Sequence, residues 1–244
     1  MTNALHARGP VPDYSSPAHP VLVGCSHGTD DVQGRAAVRS ILTGAAAARP
    51  ELDVREAFVD VQQPEVANVV ADALDGDAAG AVVVPLLLST GFHVRVDIAA
   101  AVDQPGATAA SPLGPDPRLV DILVDRLHAV ELAPDDLVVL AAAGSTDPAA
   151  ALAVEAIAAG LADRIPQPVT IGYGAGAEPR VPVAVAAARA DLPEGGRVVV
   201  ASYLLAPGYF HDRVLEAGAD VVTDPLAPDD RLVEIVLDRY DEAT

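Results

Sequence analysis

With 244 residues, 51% of them apolar, and a formal charge of −20, the chain can bury a sizeable core and repels nucleic acid and anionic membranes. Its single cysteine excludes an intramolecular disulfide and any cysteine-based structural zinc site, in keeping with a reducing compartment. No apolar run approaches the roughly 20 residues of a membrane span, and the first 18 residues hold no signal-peptide core, so the expected location is the cytoplasm. All 15 basic residues are arginine and only 3% of residues are aromatic, the bias of a GC-rich genome, with salt adaptation as the alternative.

Residues 1–19 read as a flexible tail. From Pro20 on, short Val-rich runs alternate with longer Ala-rich segments, the pattern of βαβ units on a parallel sheet. Strand Val21 to Ser26 leads to a helix over Asp31 to Ala48, capped by Thr29 or Asp30 and closed by Arg49-Pro50. Strand Val54 to Asp60 follows, then a helix opened by Pro64 and running to Leu74, with Gly76 past its end. Ala81 to Leu88 is apolar enough for a strand buried on both faces. A short helix after His93 reaches Val102. Ala107 to Ala110 is a weak strand, and Pro117 to Val130 a helix.

The join Glu131 to Asp136 introduces the same order again. Leu137 to Ala143 is a strand, Thr146-Asp147-Pro148 opens a helix to Asp163, and Val169 to Tyr173 is a strand. Pro179 opens a helix to Ala190, Arg197 to Tyr203 is a strand that runs on to His211, and Asp229 to Tyr240 is an amphipathic helix. Matching Asp30 to Asp147, Pro64 to Pro179 and His93 to His211 gives offsets of 117, 115 and 118 residues. This near-constant spacing predicts two copies of one α/β domain, residues 20–133 and 134–244, each a parallel sheet of about four strands with a cleft between them. In that alignment His27, Asp60 and His93 meet Gly144, Ala175 and His211, so the metal chemistry is assigned to the first copy.

His27, Asp60 and His93 fall at or just past the carboxyl ends of three successive strands, spaced 33 residues apart in both steps. Parallel strands lie roughly 4.8 Å apart, so such groups can converge at the edge where open α/β sheets bind ligands. Two imidazoles and a carboxylate suit Fe²⁺, Co²⁺, Ni²⁺ or Zn²⁺ and serve Ca²⁺ or Mg²⁺ poorly. The alternatives stay open at this point: a turn histidine at 27, a helix-capping histidine at 93, and a solvated strand end at 60.

Three stretches carry a resemblance: Val21-Leu-Val-Gly-Cys-Ser-His-Gly-Thr-Asp, Glu56-Ala-Phe-Val-Asp60 with Gln63-Pro64, and Val84-Pro-Leu-Leu-Leu-Ser-Thr-Gly-Phe-His-Val-Arg-Val-Asp97. Together they resemble the sirohydrochlorin chelatases, the class II tetrapyrrole chelatases, in their long, duplicated form. The resemblance implies two chelatase-like domains and insertion of Co²⁺ or Fe²⁺ into a tetrapyrrole held between them, on the way to sirohaem or cobalamin. It implies no organic cofactor, the metal being a substrate. His27 and His93 match the family's histidines, and Asp60 stands where the family usually has Glu, one methylene longer. Their expected roles are metal ligation and proton transfer, with Asp60 orienting or assisting. The substrate's carboxylates would meet Arg35 and Arg95 and the backbone N–H groups of Gly28 and Gly91, and His211 would touch the macrocycle from the second half. The duplication supplies both walls, so a monomer with an internal pseudo-dimer is expected. A non-catalytic metal or tetrapyrrole carrier is the rival reading.

Other candidates carry less. Cys25 reads as a buried small apolar residue, and His6, His19 and His128 as exposed. Gly172-Tyr-Gly-Ala-Gly-Ala177 imitates a dinucleotide loop, but Val198 to Ser202 lacks the acidic residue such a site needs.

Overall fold

The computed structural model describes residues 19–76, 78–89 and 91–244, with residues 92–95 as backbone only. The tail over residues 1–18 lies outside the described residues, as do Thr90 and the side chains of His93 and Arg95. In the first half the order is β1 (Val21–Ser26), α1 (Val32–Ala48), β2 (Val54–Phe58), α2 (Val66–Leu74), β3 (Ala81–Pro85), α3 (Phe92–Ala101), β4 (Ala107–Ala109) and α4 (Pro117–Ala129). The second half repeats it with β5 (Leu137–Ala142), α5 (Pro148–Ala162), β6 (Val169–Tyr173), α6 (Val181–Ala190), β7 (Val198–Tyr203), α7 (Tyr209–Leu215), β8 (Val221–Val222) and α8 (Asp230–Ala243).

Each half builds a parallel sheet of four strands, ordered β2-β1-β3-β4 and β6-β5-β7-β8. The strands β1 and β3 are buried along their whole length, which is why they read as continuous Val and Leu runs without alternation. Chain order reverses direction on either side of β1, so the carboxyl ends of β1 and β3 flank the crevice where ligands bind in this topology.

The repeat is real, but its register differs from the expected one by a residue. Asp31, not Thr29 or Asp30, caps α1: its Oδ1 accepts the Gly34 N–H at 2.6 Å, while Thr29 Oγ1 accepts the Asp31 N–H at 3.1 Å. In the second half Asp147 caps α5, accepting from the Ala149 N–H at 3.0 Å, and Ser145 Oγ accepts the Asp147 N–H at 3.1 Å. Asp31 therefore matches Asp147, and His27 matches Ala143 instead of Gly144. The shared letters Thr-Asp align Asp30 with Asp147, whereas the cap bonds align Asp31 with Asp147. Backbone starts also differ from expectation at the prolines: α2 and α6 begin at Val66 and Val181, two residues past Pro64 and Pro179.

The two halves exchange their last helices. α4 packs on α5 and β7 of the second half, and α8 packs on α1 and β3 of the first. Each presents an apolar stripe at helical spacing, Leu119, Ile122, Leu123 and Leu127 on α4 and Leu232, Ile235, Val236 and Tyr240 on α8. These residues join one core that runs through both halves. Polar pins secure the exchange reciprocally. Arg118 reaches Asp238 at 2.6 Å and Arg231 reaches Asp125 at 2.8 Å. Arg126 on α4 donates to the Pro225 and Leu226 carbonyls at 3.2 and 3.1 Å, and Arg239 on α8 donates to the Pro112 carbonyl at 3.0 Å. Among the described residues no helix is long and apolar enough to cross a membrane.

Candidate functional site

The exchanged helices draw the carboxyl edges of the two sheets together around a cleft of about 1130 Å³. That volume exceeds the roughly 300–1,000 Å³ of ordinary small-molecule sites, so the cleft suits a large, rigid ligand. Its two walls differ in chemistry.

The first-half wall is polar. His27 follows β1 directly and is exposed on the cleft; its successor Gly28 has φ +86°, where a Cβ would stand 2.9 Å from the Asp60 carbonyl oxygen. Only glycine lets the β1–α1 and β2–α2 loops approach that closely. Asp60 lies two residues past β2 and also lines the cleft. Its Oδ1 accepts the Val61 N–H at 2.7 Å, and its carbonyl accepts the Gln62 N–H. This turn forces Val61 to φ +53°, a left-handed conformation that costs a β-branched residue about 1–3 kcal/mol. Gln62 closes the arrangement, its Oε1 accepting the Thr29 N–H at 2.8 Å.

Arg35 is engaged within the same loop. Its Nε donates to the Thr29 carbonyl at 2.9 Å and its Nη2 to the Asp30 carbonyl at 3.0 Å. Glu56, also on the cleft, pairs with Arg39 at 2.8 Å.

The second-half wall is built largely of small apolar residues, Ala142, Ala143, Ala150, Ala151 and Val154, beside Tyr173 and Tyr203, with Ser145, Thr146, His211 and Asp212 at its polar positions. Burial, with the nearby charge of Glu155, raises the Tyr173 phenol, and burial followed by the charge of Asp116 raises Tyr203 further. Both therefore stay protonated at neutral pH. His211 is the third residue of α7 and lines the cleft, with its Nε2 buried and lacking a hydrogen-bond partner. Both α3 and α7 have a glycine N-cap, Gly91 and Gly208, 117 residues apart, which places His93 as the second residue of its helix and shifts His211 by one. The α7 entry crosses to the other wall: a Cβ on Gly34 of α1 would lie 2.3 Å from the Pro207 carbonyl, and one on Gly208 would lie 3.1 Å from Thr29 Oγ1.

The fold thus brings His27 and Asp60 to one edge, with Gly28, Gly91, Arg35 and His211 around the same cleft. The His93 and Arg95 side chains lie outside the described residues. Among the described residues no three of His, Cys, Asp and Glu converge as a metal cage. Cys25 is fully buried and its thiol is pushed up to about 12 by burial and then by the charge of Asp97, which suits a packing residue. His19 and His128 are exposed, as expected. Sequence reading missed Glu56, Gln62, Tyr173 and Tyr203. Glu56 and Gln62 flank Asp60 and carry no spacing signal of their own, and the tyrosines read only as strand ends.

Two α/β halves that face each other across a large cleft, with an imidazole and a carboxylate on one sheet edge, define a duplicated α/β protein with a ligand cleft between its repeats. The chain belongs to the CbiX family, whose model matches residues 21–130 and again 137–243. Over 101 residues it is 32% identical to a sirohydrochlorin ferrochelatase of Priestia megaterium, covering 38% of each chain. Over 77 residues it is 31% identical to a sirohydrochlorin cobaltochelatase of Sulfolobus acidocaldarius, covering 30% of this chain and 63% of that one. These matches thus span 38% and 63% of the relatives' lengths. In fold it is similar to SirB from Bacillus subtilis with Fe³⁺, with TM-score 0.77 and 19% identity over 92% of this chain and 95% of that one. The cobalt complex of SirB, a sirohydrochlorin chelatase of B. subtilis subspecies spizizenii, gives TM-score 0.75 and 20% identity over 92% and 94%.

Proposed function

We propose that this protein inserts a divalent metal, Co²⁺ or Fe²⁺, into sirohydrochlorin, supplying sirohaem or cobalamin synthesis. The observation that carries the reading is the two-sided cleft: His27 and Asp60 on one wall and a small apolar surface opposite, in a member of the CbiX family. A planar macrocycle needs a flat apolar face to lie against, and the metal needs ligands on the other side. The names of the matched relatives supply the substrate and the two metals.

Metallation removes two pyrrole N–H protons while the metal passes from the protein to the ring. Neutral imidazole serves both needs, as a ligand that lets go and as a base near pH 7. In this reading His27 and His93 bind the metal and accept the protons, and Asp60 orients or assists. The Gln62–Thr29 bond and the Arg35 contacts hold the loop that carries His27. Gly28 and Gly91, with Arg95 as the assigned cation, receive the substrate's carboxylates, and His211 meets the macrocycle from the other wall. Both walls come from one chain, so the enzyme is a monomer, acting in the cytoplasm without an organic cofactor.

The test is direct. Purified protein is mixed with sirohydrochlorin and Co²⁺ or Fe²⁺, and the visible spectrum is followed against a protein-free control. Conversion faster than the control is expected. Tetrapyrrole binding without accelerated conversion would instead make the protein a carrier.

A further inference from the structure

The loop between β3 and α3 of the first half is held from the second half. Leu88, three residues beyond β3, offers its carbonyl to the hydroxyl of Tyr203, which donates at 3.0 Å. Tyr203 ends β7 in the opposite sheet, is 2% exposed, and is kept protonated by burial, so it is a standing donor.

Comparison of the halves shows a specific construction. The β3 and β7 registers against β1 and β5 match Ala81 with Val198 and hence Leu88 with Leu205. The Leu205 carbonyl accepts the backbone N–H of Ala227 at 2.8 Å. The helix caps Asp116 and Asp229 match Ala227 with Gly114, whose N–H instead lies 3.4 Å from the Leu87 carbonyl. A Cβ on Gly114 would stand 2.3 Å from the Leu88 oxygen and 2.6 Å from the Tyr203 hydroxyl. The absent methyl is the space the phenol enters. By the same register the first-half counterpart of Tyr203 is Leu86, which has nothing to donate. The clamp runs one way, from the apolar wall to the polar one.

We propose that Tyr203 is a positioning residue: by fixing the Leu88 carbonyl it sets where the chain enters α3, and so where His93 stands relative to His27. The proposal rests on the functional reading above, in which both histidines hold the metal. The same second-half segment abuts the His27 loop through Pro207 and Gly208, so it braces both loops at once. Removal of outer groups that orient metal ligands typically costs about 10- to 100-fold in metal affinity or activity.

The experiment compares the wild type with Tyr203→Phe, Gly114→Ala and His93→Ala. Co²⁺ binding is titrated without tetrapyrrole, sirohydrochlorin binding is titrated without metal, and melting temperature and insertion rate are recorded. Tyr203→Phe is expected to fold and bind sirohydrochlorin normally, while its Co²⁺ dissociation constant rises about tenfold and insertion at low metal falls with it. Gly114→Ala, which drives a methyl between hydroxyl and carbonyl, is expected to do the same and decides the matter if Tyr203→Phe does not fold. Unchanged Co²⁺ affinity in a folded variant overturns the proposal. So does an equal loss of metal and tetrapyrrole binding, which marks a general loosening. If His93→Ala keeps both Co²⁺ binding and insertion, the functional reading itself fails. If it loses them and Tyr203→Phe does not, only the positioning role falls.

Discussion

The Asp60 carboxylate bonds to its own successor, Oδ1 accepting the Val61 N–H at 2.7 Å in a turn that holds Val61 at φ +53°. One carboxylate oxygen is thus committed to the backbone and the other is left for the cleft. The Val61 conformation carries a cost in strain, and the Gln62–Thr29 bond and the close approach of Gly28 to the Asp60 carbonyl hold the turn in place.

Asp60→Asn is therefore expected to preserve the turn, since the amide oxygen accepts the same N–H. It should lower metal insertion by about tenfold or more, the charge being lost at the proposed metal site, with sirohydrochlorin affinity little changed. Steady-state assays at saturating tetrapyrrole check this. An unaltered rate would reduce Asp60 to a turn-forming residue.

His27 and His211 should differ sharply. His27→Ala removes the proposed ligand and base, and the insertion rate is expected to fall by about a hundredfold or more. His211 makes no hydrogen bond through Nε2, so His211→Ala breaks no bond at that atom and loses at most one contact to the substrate, worth about 1 kcal/mol or roughly fivefold. Parallel rate measurements on the two variants decide between one active wall and two; an equal fall would assign metal chemistry to both.

What could be read beforehand follows from range. The strands β1 and β6 are legible to the residue, because short runs rich in β-branched, apolar and aromatic residues bounded by turn residues are local signals. The helix α7 and the two-residue strand β8 were not, since seven and two residues carry too little periodicity. The repeat was legible and its register was not, because Thr29-Asp30-Asp31 offers two aspartates and only the Gly34 N–H selects one. Nothing in the amphipathic pattern of α4 or α8 says whose sheet it covers; that depends on the Arg126 and Arg239 contacts, each about 100 residues or more away in the chain. The cleft edge was visible through His27 and Asp60, while the Tyr203 contact with Leu88 depends on an empty position at Gly114 that only the assembled halves reveal.

The helix exchange carries a pH dependence. Asp116 is 6% exposed; burial alone would raise its carboxyl, but the bonds from Arg118 and the charges of Arg118 and Arg239 hold it below its usual value. A depressed folded value stabilises the protein above the unfolded carboxyl's pKa of about 4, and that contribution is lost as pH falls through the folded value. Asp116→Asn keeps a competent helix cap and removes the charge. It is expected to cost about 2–3 kcal/mol at pH 7 and to flatten the acid side of the stability profile. Urea titrations of both proteins from neutral to acid pH measure the two curves, which should converge at low pH. A constant gap between them would show that the charge is not the source.

Ionic strength should separate the two proposed substrates, metal and tetrapyrrole. Among the described residues the cleft presents Asp30, Asp31, Glu56, Asp60 and Asp212 against the single cation Arg35, which is already bonded to loop carbonyls. With a chain charge of −20 the field attracts a divalent cation and repels a polycarboxylate such as sirohydrochlorin. Raising ionic strength from about 0.01 to 0.15 M shortens the screening length from about 30 to 8 Å, which weakens both effects. The rate constant for tetrapyrrole capture, read as kcat/KM at saturating metal, is expected to rise with salt, while the apparent metal affinity falls. Initial rates across a chloride series, with the tetrapyrrole varied in one set and the metal in the other, give both slopes. A tetrapyrrole kcat/KM that drops with salt would mean that a cationic patch outweighs the acidic wall, and would direct attention to the Arg95 end of α3.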